Sequence, residues 1–234
     1  MKKTILLFMV LCLLLGGCAS SEGNGSNILP AGSQVSDAPA DQNPVETEPE
    51  ESRQTIIPLP DTTMDNLTDA ILSVSLEEGD AYVDDSGIMQ MDLKIYTYDQ
   101  YDMVDIDNLK VGDTIVRHSG EAEVTSLERS GSGIIYINGG LNADGFELVT
   151  DDSGVFYEWG FNDSKNWYEI GDATIRVSVD FEYVDSSDPE LGEIIFYPGS
   201  FLIGEVTDYH FTPYNTTIRV EASQIVEMHR RYIP

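Results

Sequence analysis

The residues best suited to binding chemistry are aromatic side chains in the second half of the sequence. Tyr157, Trp159 and Phe161 alternate along one predicted strand, so they share one of its faces, and Trp167 follows a few residues later. Such flat rings stack on the faces of sugars or cover an apolar partner when they are exposed. When they are buried, they form the inner face of a sheet, and both interpretations are open.

A second aromatic set consists of Tyr96, Tyr98 and Tyr101. It lies opposite the apolar face of the strand that contains Met91 and Ile95, or just beyond the end of that strand. Tyrosine is enriched at binding surfaces. The position therefore predicts that this set is the more exposed of the two.

Oxygen-rich turns are the candidate metal sites, because calcium prefers carboxylate and amide oxygens. Asp105 and Asp107 lie close together, but no glycine stands at the sixth position of an EF-hand loop. Asn142 and Asp144 match the middle of such a loop, yet Gly140 occupies its first ligand position. Calcium at a turn of another kind and a solvated hairpin end both remain open, and no other cofactor is expected.

Recognised catalytic motifs are missing from the sequence. His118, His210 and His229 are scattered without metal-ligand spacing, and neither Gly-x-Ser-x-Gly nor Ser-x-x-Lys occurs. No catalytic residue is therefore predicted, and the sequence favours a protein that is not an enzyme. Carboxylates are so abundant that a hydrolase using an Asp/Glu pair stays as the alternative.

The first eighteen residues predict export. Lys2 and Lys3 precede an apolar run over residues 5–15, which is shorter than the roughly 20 residues of a membrane-spanning helix. Residues 15–18, Leu-Gly-Gly-Cys, resemble the lipobox of bacterial lipoproteins. The resemblance implies cleavage after residue 17 and a diacylglyceryl thioether on Cys18 that anchors the chain in the lipid bilayer. An ordinary signal peptide with an incidental cysteine is the alternative.

Residues 19–55 predict a disordered tether. Ser, Gly, Pro, Asn and acidic residues dominate this segment, and it has no aromatic residue. A flexible chain of this length spans roughly 30–35 Å, which would hold the folded part off the membrane. The expected order is thus a signal peptide over residues 1–17, Cys18, the tether, and a β-rich extracytoplasmic domain over residues 56–234.

Period-two alternation predicts that this domain is all-β, an antiparallel barrel or sandwich. The clearest runs cover residues 89–95 and 174–181, and a short helix over residues 65–71 is the one helical candidate. The apolar positions of the two runs are Met89, Met91, Leu93 and Ile95, and Ile175, Val177, Val179 and Phe181.

Two turn motifs recur in the same order. Asp-Asp-Ser-Gly occurs at residues 84–87 and 151–154, and a Gly-Asp pair follows at residues 112–113 and 171–172. Such turns are common, because Asp bonds its own backbone and Gly supplies a positive φ. Coincidence is one interpretation, and two related small β lobes with a boundary near residues 139–144 are the other.

The charge balance excludes one class of partner. The chain has 12 Lys and Arg against 42 Asp and Glu, and from residue 56 onward nine bases face 35 acids, a net charge of −26. Nucleic acid is excluded, because binding to phosphates requires Lys and Arg. Divalent cations or a cationic partner would relieve this charge.

The whole chain resembles lipoproteins of Gram-positive, clostridia-like bacteria that join a lipobox, an acidic linker and a β-rich domain. No activity is assigned to that group, so the resemblance implies a lipid-anchored location on the extracytoplasmic face of the cell membrane and no functional residue. We expect a non-catalytic binding or interaction module of the cell envelope with a glycan or protein partner. A carboxylate-dependent envelope hydrolase and a structural assembly protein are the alternatives.

Overall fold

The computed structural model of the protein describes residues 52–150, 153–160 and 164–233. These residues are mostly strand, which confirms the all-β prediction. The predicted signal peptide, Cys18, the tether up to residue 51, and Phe161 lie outside the described residues. No helix within the described ranges is long and apolar enough to cross a membrane.

The described chain contains sixteen strands, two short helices and one 3-10 turn. The strands are β1 (Thr55–Ile56), β2 (Ala70–Ser75), β3 (Ala81–Val83), β4 (Met89–Thr97), β5 (Gln100–Asp102), β6 (Thr114–Arg117), β7 (Gly120–Glu123), β8 (Leu127–Arg129), β9 (Ile135–Ile137), β10 (Phe146–Thr150), β11 (Val155–Gly160), β12 (Ser164–Lys165), β13 (Tyr168–Ser186), β14 (Ile194–Phe196), β15 (Thr216–Glu221) and β16 (Gln224–Arg231). The helices are α1 (Met103–Asp107) and α2 (Pro198–Leu202), and the 3-10 turn covers Leu141–Ala143.

Five of these strands close into a barrel, which decides between the predicted barrel and sandwich. Around the barrel the order is β2, β4, β13, β16, β15 and back to β2. All neighbours are antiparallel except β13 and β16, which run parallel. Numbered along the chain, the order is 1-2-3-5-4 with strands 3 and 5 parallel, which is the strand order of the OB fold. The short strands β3 and β14 extend the sheet at its margins.

The barrel core confirms the alternation along β4 and most of that along β13. Met91, Leu93 and Ile95 are at most 2% exposed, and Val177 is also buried. Val179 is 83% exposed, so the prediction that it shares the buried face is wrong. The cause is a bulge, because β13 has three more residues between Val177 and Glu182 than β16 has opposite them.

The segment between β4 and β13, together with β1 from before the barrel, forms a second β lobe with its own core. Two sheets build it, one from β8–β12 together with β5 and one from β1, β6 and β7. Its buried side chains are Ile56, Tyr101, Ile106, Leu109, Ile115, Val124, Ile135, Ile137, Phe146, Leu148 and Phe156. Barrel and lobe are thus two packed cores within one compact unit.

The motifs that suggested a duplication lie in different settings. Gly112 and Asp113 form a turn before β6, whereas Gly171 and Asp172 lie inside β13 at a bulge opposite β4. The boundary expected near residues 139–144 falls between β9 and β10, which pair with each other in one sheet. These two Gly-Asp segments are therefore not structurally equivalent.

Two further sequence assignments change in the structure. The helix considered over residues 65–71 is not formed, because Ala70 begins β2, whose Leu72 and Val74 side chains fill the barrel. Ordered structure also starts before residue 56. Buried Asp113 accepts hydrogen bonds from the backbone N–H and the side chain of Gln54, and Thr55 pairs with Thr114.

The bulge in β13 can be tested with two matched substitutions. Val177→Ala should lower the free energy of unfolding by about 2 kcal/mol, because it opens a cavity in the barrel. Val179→Ala should change it by less than about 0.5 kcal/mol, because the side chain is in solvent. Urea unfolding of both variants measures the difference. Equal losses would mean that Val179 lies in the core and that the bulge is placed incorrectly.

Candidate ligand-binding groove

The inserted lobe leaves and rejoins the barrel at one point. Thr97 at the end of β4 pairs with Tyr168 at the start of β13. The next residues outward are Tyr98 and Trp167. This pairing brings their side chains into contact although they are distant in sequence. Their rings meet edge-on with centroids 4.7 Å apart. The pairing of two barrel strands therefore creates the first aromatic contact of the site.

Tyr98 joins both predicted aromatic sets into one wall. Its ring also meets Tyr157 edge-on at 6.0 Å, and Tyr157 lies 6.2 Å from Trp159. Along β11 these two side chains alternate with Phe156 and Glu158, and Phe156 packs into the core of the lobe. The prediction that Tyr157 and Trp159 share a face is confirmed. We call Tyr98, Tyr157, Trp159 and Trp167 the aromatic wall.

The second aromatic set divides between the groove and the interior. Tyr96 and Tyr98 are part of the groove lining, and both are partly exposed. Tyr101 is fully buried, and its hydroxyl donates to the carbonyl of Val116 at 3.1 Å. Its predicted exposure is wrong, because β5 pairs with β11 and turns this ring into the core of the lobe. Burial raises the pKa of Tyr101.

The outer face of the barrel forms the floor beside the wall. Thr217, Ser73 and Tyr96 are direct cross-strand neighbours on β15, β2 and β4. The Thr and Ser side chains are small, so they project little from the surface of the sheet. Ile71, nearby on β2, is 70% exposed. The remaining lining comes from residues 61–62, Thr97, Gln100, residues 164–165, residues 213–215 and Arg231 at the end of β16. The whole groove has a volume of about 690 Å³, within the range of small-ligand sites.

No protein-family model, curated protein or solved structure matches this chain. Function must therefore be inferred from the groove itself.

Lys165 brings a cation to the aromatic wall. Its Nζ donates to the hydroxyl of Tyr98 at 2.6 Å and lies 4.1 Å and 5.0 Å from the ring centroids of Tyr98 and Tyr157. Strand β12 fixes this position, because Lys165 pairs with Trp159 on β11. The ring electrons favour a positive charge at such distances. The wall is thus aromatic and cationic at the same place.

An ion pair behind the wall holds it in position. The Arg117 guanidinium binds Glu158 through two hydrogen bonds of 2.7 and 2.6 Å, and Glu158 is almost fully buried. The hydrogen bond to Glu158 raises the pKa of Arg117. Glu158 also accepts from the Asn166 side chain at 2.8 Å, and its carbonyl accepts from the Asn166 N–H. These bonds fix the turn that carries Lys165 and Trp167.

A second polar cluster lies at the junction of barrel and lobe. Buried Asp99 accepts from the Tyr168 hydroxyl at 3.0 Å and from the His118 backbone N–H at 2.7 Å. The His118 ring stacks on Tyr168 with centroids 3.6 Å apart. Burial and the charge of Asp99 raise the pKa of Tyr168, so its phenol stays protonated and keeps donating. His118 therefore packs at the junction and helps to fix it.

The calcium candidates lie apart from the groove lining. Asp105 and Asp107 are exposed on α1, and Asn142 and Asp144 are exposed at the 3-10 turn. Within the described ranges, no three His, Cys, Asp or Glu side chains come together as a metal site would require. Calcium binding at these turns stays a prediction.

The sequence contained a signal for the aromatic side chains but none for the polar groups behind them. Alternation along one strand predicted the shared face of Tyr157 and Trp159. Arg117 and Asn166 reach Glu158 from other strands and turns. Such contacts depend on the register between strands, which no local pattern encodes. Asp61 was missed for the same reason, and its carboxylate accepts a hydrogen bond from Thr97 inside the groove.

The role of Glu158 predicts a loss of stability and of wall order on Glu158→Ala. The free energy of unfolding should fall by about 3 kcal/mol, because Arg117 would keep its charge in a largely buried place without a partner. The near-ultraviolet circular dichroism of the tryptophans should weaken as well. The control is the double variant Arg117→Met with Glu158→Leu, which should stay within about 1 kcal/mol of the wild type. A single variant as stable as the wild type would contradict this role.

Proposed function

We propose that the protein is a lipid-anchored, non-catalytic binding module of the bacterial cell envelope and that its groove binds a glycan. The observation that carries the proposal is the aromatic wall, in which the partly exposed rings of Tyr98, Trp159 and Trp167 line one groove and pack around Tyr157, which is itself buried. Trp and Tyr present a large flat surface at low entropic cost. The C–H faces of sugar rings pack on such a surface. The low floor of Ser73 and Thr217 leaves room for a ring beside the wall.

Charge and fold both favour a sugar over a nucleic acid. Barrels with the OB strand order include binders of oligonucleotides and binders of oligosaccharides. A domain with 35 acids and nine bases is unsuited to a phosphate backbone, whose affinity comes from Lys and Arg. Fold alone does not determine function, so the strand order only suggests these two classes of ligand and does not choose between them. The groove chemistry supplies the rest.

The carboxylates of the groove favour binding over hydrolysis. Glycosidases generally use two Asp or Glu side chains that flank the bond to be cleaved. Among the described residues that line the groove, Asp61 is the only acid, and Thr97 donates to it. A carboxylate pair is what the hydrolase alternative needs. We therefore retain the binding module as the better supported function.

The anchor is proposed from the sequence of residues 15–18 alone. A lipid on Cys18 would attach the chain to the bilayer, and two acyl chains on one cysteine suffice for stable anchoring where one does not. The tether would then place the groove some tens of ångström from the membrane surface, in reach of envelope glycans. The groove and the anchor are independent parts of the proposal.

Glycan binding can be measured with the tryptophans of the protein itself. Trp159 and Trp167 are its two tryptophans, and both line the groove, so their fluorescence reports occupancy of this site. We expect hits on an array of envelope and other bacterial oligosaccharides, and each hit should change tryptophan emission on titration. Trp159→Ala and Trp167→Ala should each weaken binding about tenfold or more, the size typical of a central aromatic contact.

The matched control for these variants is Tyr197→Ala. Tyr197 is an aromatic residue that is 59% exposed, more than the partly exposed tryptophans, and it lies outside the groove lining. Its substitution should leave affinity unchanged. An array without any hit, or hits that survive both tryptophan substitutions, would refute glycan binding in the groove.

The anchor predicts a change of cell fraction for Cys18→Ser. The wild type should incorporate labelled palmitate and sediment with membranes, whereas Cys18→Ser should do neither, because the serine cannot form the thioether. Cys12→Ser is the control, since Cys12 lies in the apolar run of the signal. This variant should still be labelled. Labelling of Cys18→Ser, or no labelling of the wild type, would refute the anchor.

A further inference from the structure

The described residues of the groove lining differ in charge balance from the domain as a whole. From residue 56 onward, acids outnumber bases by 35 to nine. Among the described residues that line the groove, the bases Lys165 and Arg231 outnumber the single acid, Asp61. A ligand in the groove therefore meets a local excess of positive charge on a strongly negative protein.

Arg231 is the arginine of the described groove lining, and like Arg129 and Arg176 it forms no ion pair with a described carboxylate. Arg117, Arg219 and Arg230 each form an ion pair with a carboxylate. No carboxylate in the described part of the chain lies within ion-pair distance of the Arg231 guanidinium, although acids are the commonest charged residues. Arg231 is exposed, and its backbone N–H donates to the carbonyl of Asn215 in the groove lining. A guanidinium in this position is suited to an anion supplied from outside.

Lys165 is held where a bound sugar would meet it. Its ammonium lies against the rings of Tyr98 and Tyr157 and donates a hydrogen bond to the Tyr98 hydroxyl. The ammonium keeps its positive charge and donates hydrogen bonds only, so an anionic group is its natural ligand. A sugar stacked on the wall would bring its substituents to this charge.

We infer that the ligand is an acidic glycan, whose ring packs on the aromatic wall and whose oxyanion is bound by Lys165 and Arg231. The inference rests on the proposed glycan-binding function and adds the chemical class of the sugar. Carboxylates and phosphates both accept charge-assisted hydrogen bonds from guanidinium and ammonium groups. The shared chemistry is thus an oxyanion on a sugar ring, either a uronate or a sugar phosphate.

The experiment compares charged oligosaccharides with their neutral counterparts by tryptophan fluorescence on the intact chain. One pair is oligogalacturonate and its methyl ester, and the other is a phosphorylated maltooligosaccharide and the unphosphorylated maltooligosaccharide of the same length. We expect at least one acidic member to bind about tenfold or more tightly than its neutral partner, and the pair that responds identifies the source of the oxyanion.

The variants assign the preference to the two bases. Lys165→Gln and Arg231→Gln should each reduce the preference for the acidic member about tenfold, because each removes one positive charge from the groove lining. Lys165→Arg should retain the preference, which separates charge from folding. Lys94→Gln is the control, because Lys94 is a base outside the groove that pairs with Glu169.

The outcomes separate this inference from the function on which it rests. Equal binding of acidic and neutral members, unaffected by the two Gln variants, would overturn the acidic-glycan inference and leave the glycan groove standing. Failure of both acidic members to bind would also overturn it, and hits with neutral sugars on the array would then show that the groove still binds glycans. An array without any hit would overturn both proposals.

Discussion

The pairing of β4 with β13 is the constraint on which the rest of the molecule depends. The first half of β13 pairs with β4, and its second half runs beside β16, so this one strand closes the barrel. The same pairing joins Thr97 to Tyr168 and thereby fixes both ends of the inserted lobe. An insertion whose ends meet is tolerated well, because it leaves the parent fold intact. Here it also sets Tyr98 against Trp167, so closure of the barrel and assembly of the aromatic wall are one event.

The buried polar groups then make the wall rigid. Glu158 and Asp99 each accept bonds from two parts of the chain and tie the lobe to its own turn and to the barrel. Buried ionic groups are costly to desolvate, so they contribute more to a defined geometry than to stability. A fixed wall also reduces the ordering cost that binding must overcome. We see the second lobe as the element that converts an ordinary barrel face into a preorganised groove.

The sequence predicts features that depend on neighbouring residues better than features that depend on distant strands. Alternation is local, so the buried face of β4 and the shared face of Tyr157 and Trp159 were both predictable. Val179 was not, because a bulge adds residues without leaving a mark in the hydrophobic pattern. The contact between Tyr98 and Trp167 depends on the register of two distant strands, and register is a property of the whole sheet.

The net charge of the domain likewise did not predict the charge of the groove. Composition describes the whole domain, whereas a ligand contacts only part of it. The total of −26 suggested divalent cations or a cationic partner, whereas the described residues of the groove lining include more bases than acids. The two observations act at different distances. At physiological ionic strength the repulsion from remote acids is screened over about 8 Å, while charges in direct contact with a ligand lie well within that distance. If the groove binds an acidic glycan as we propose, the acidic exterior slows the approach of the ligand, and the nearby charges of Lys165 and Arg231 retain it.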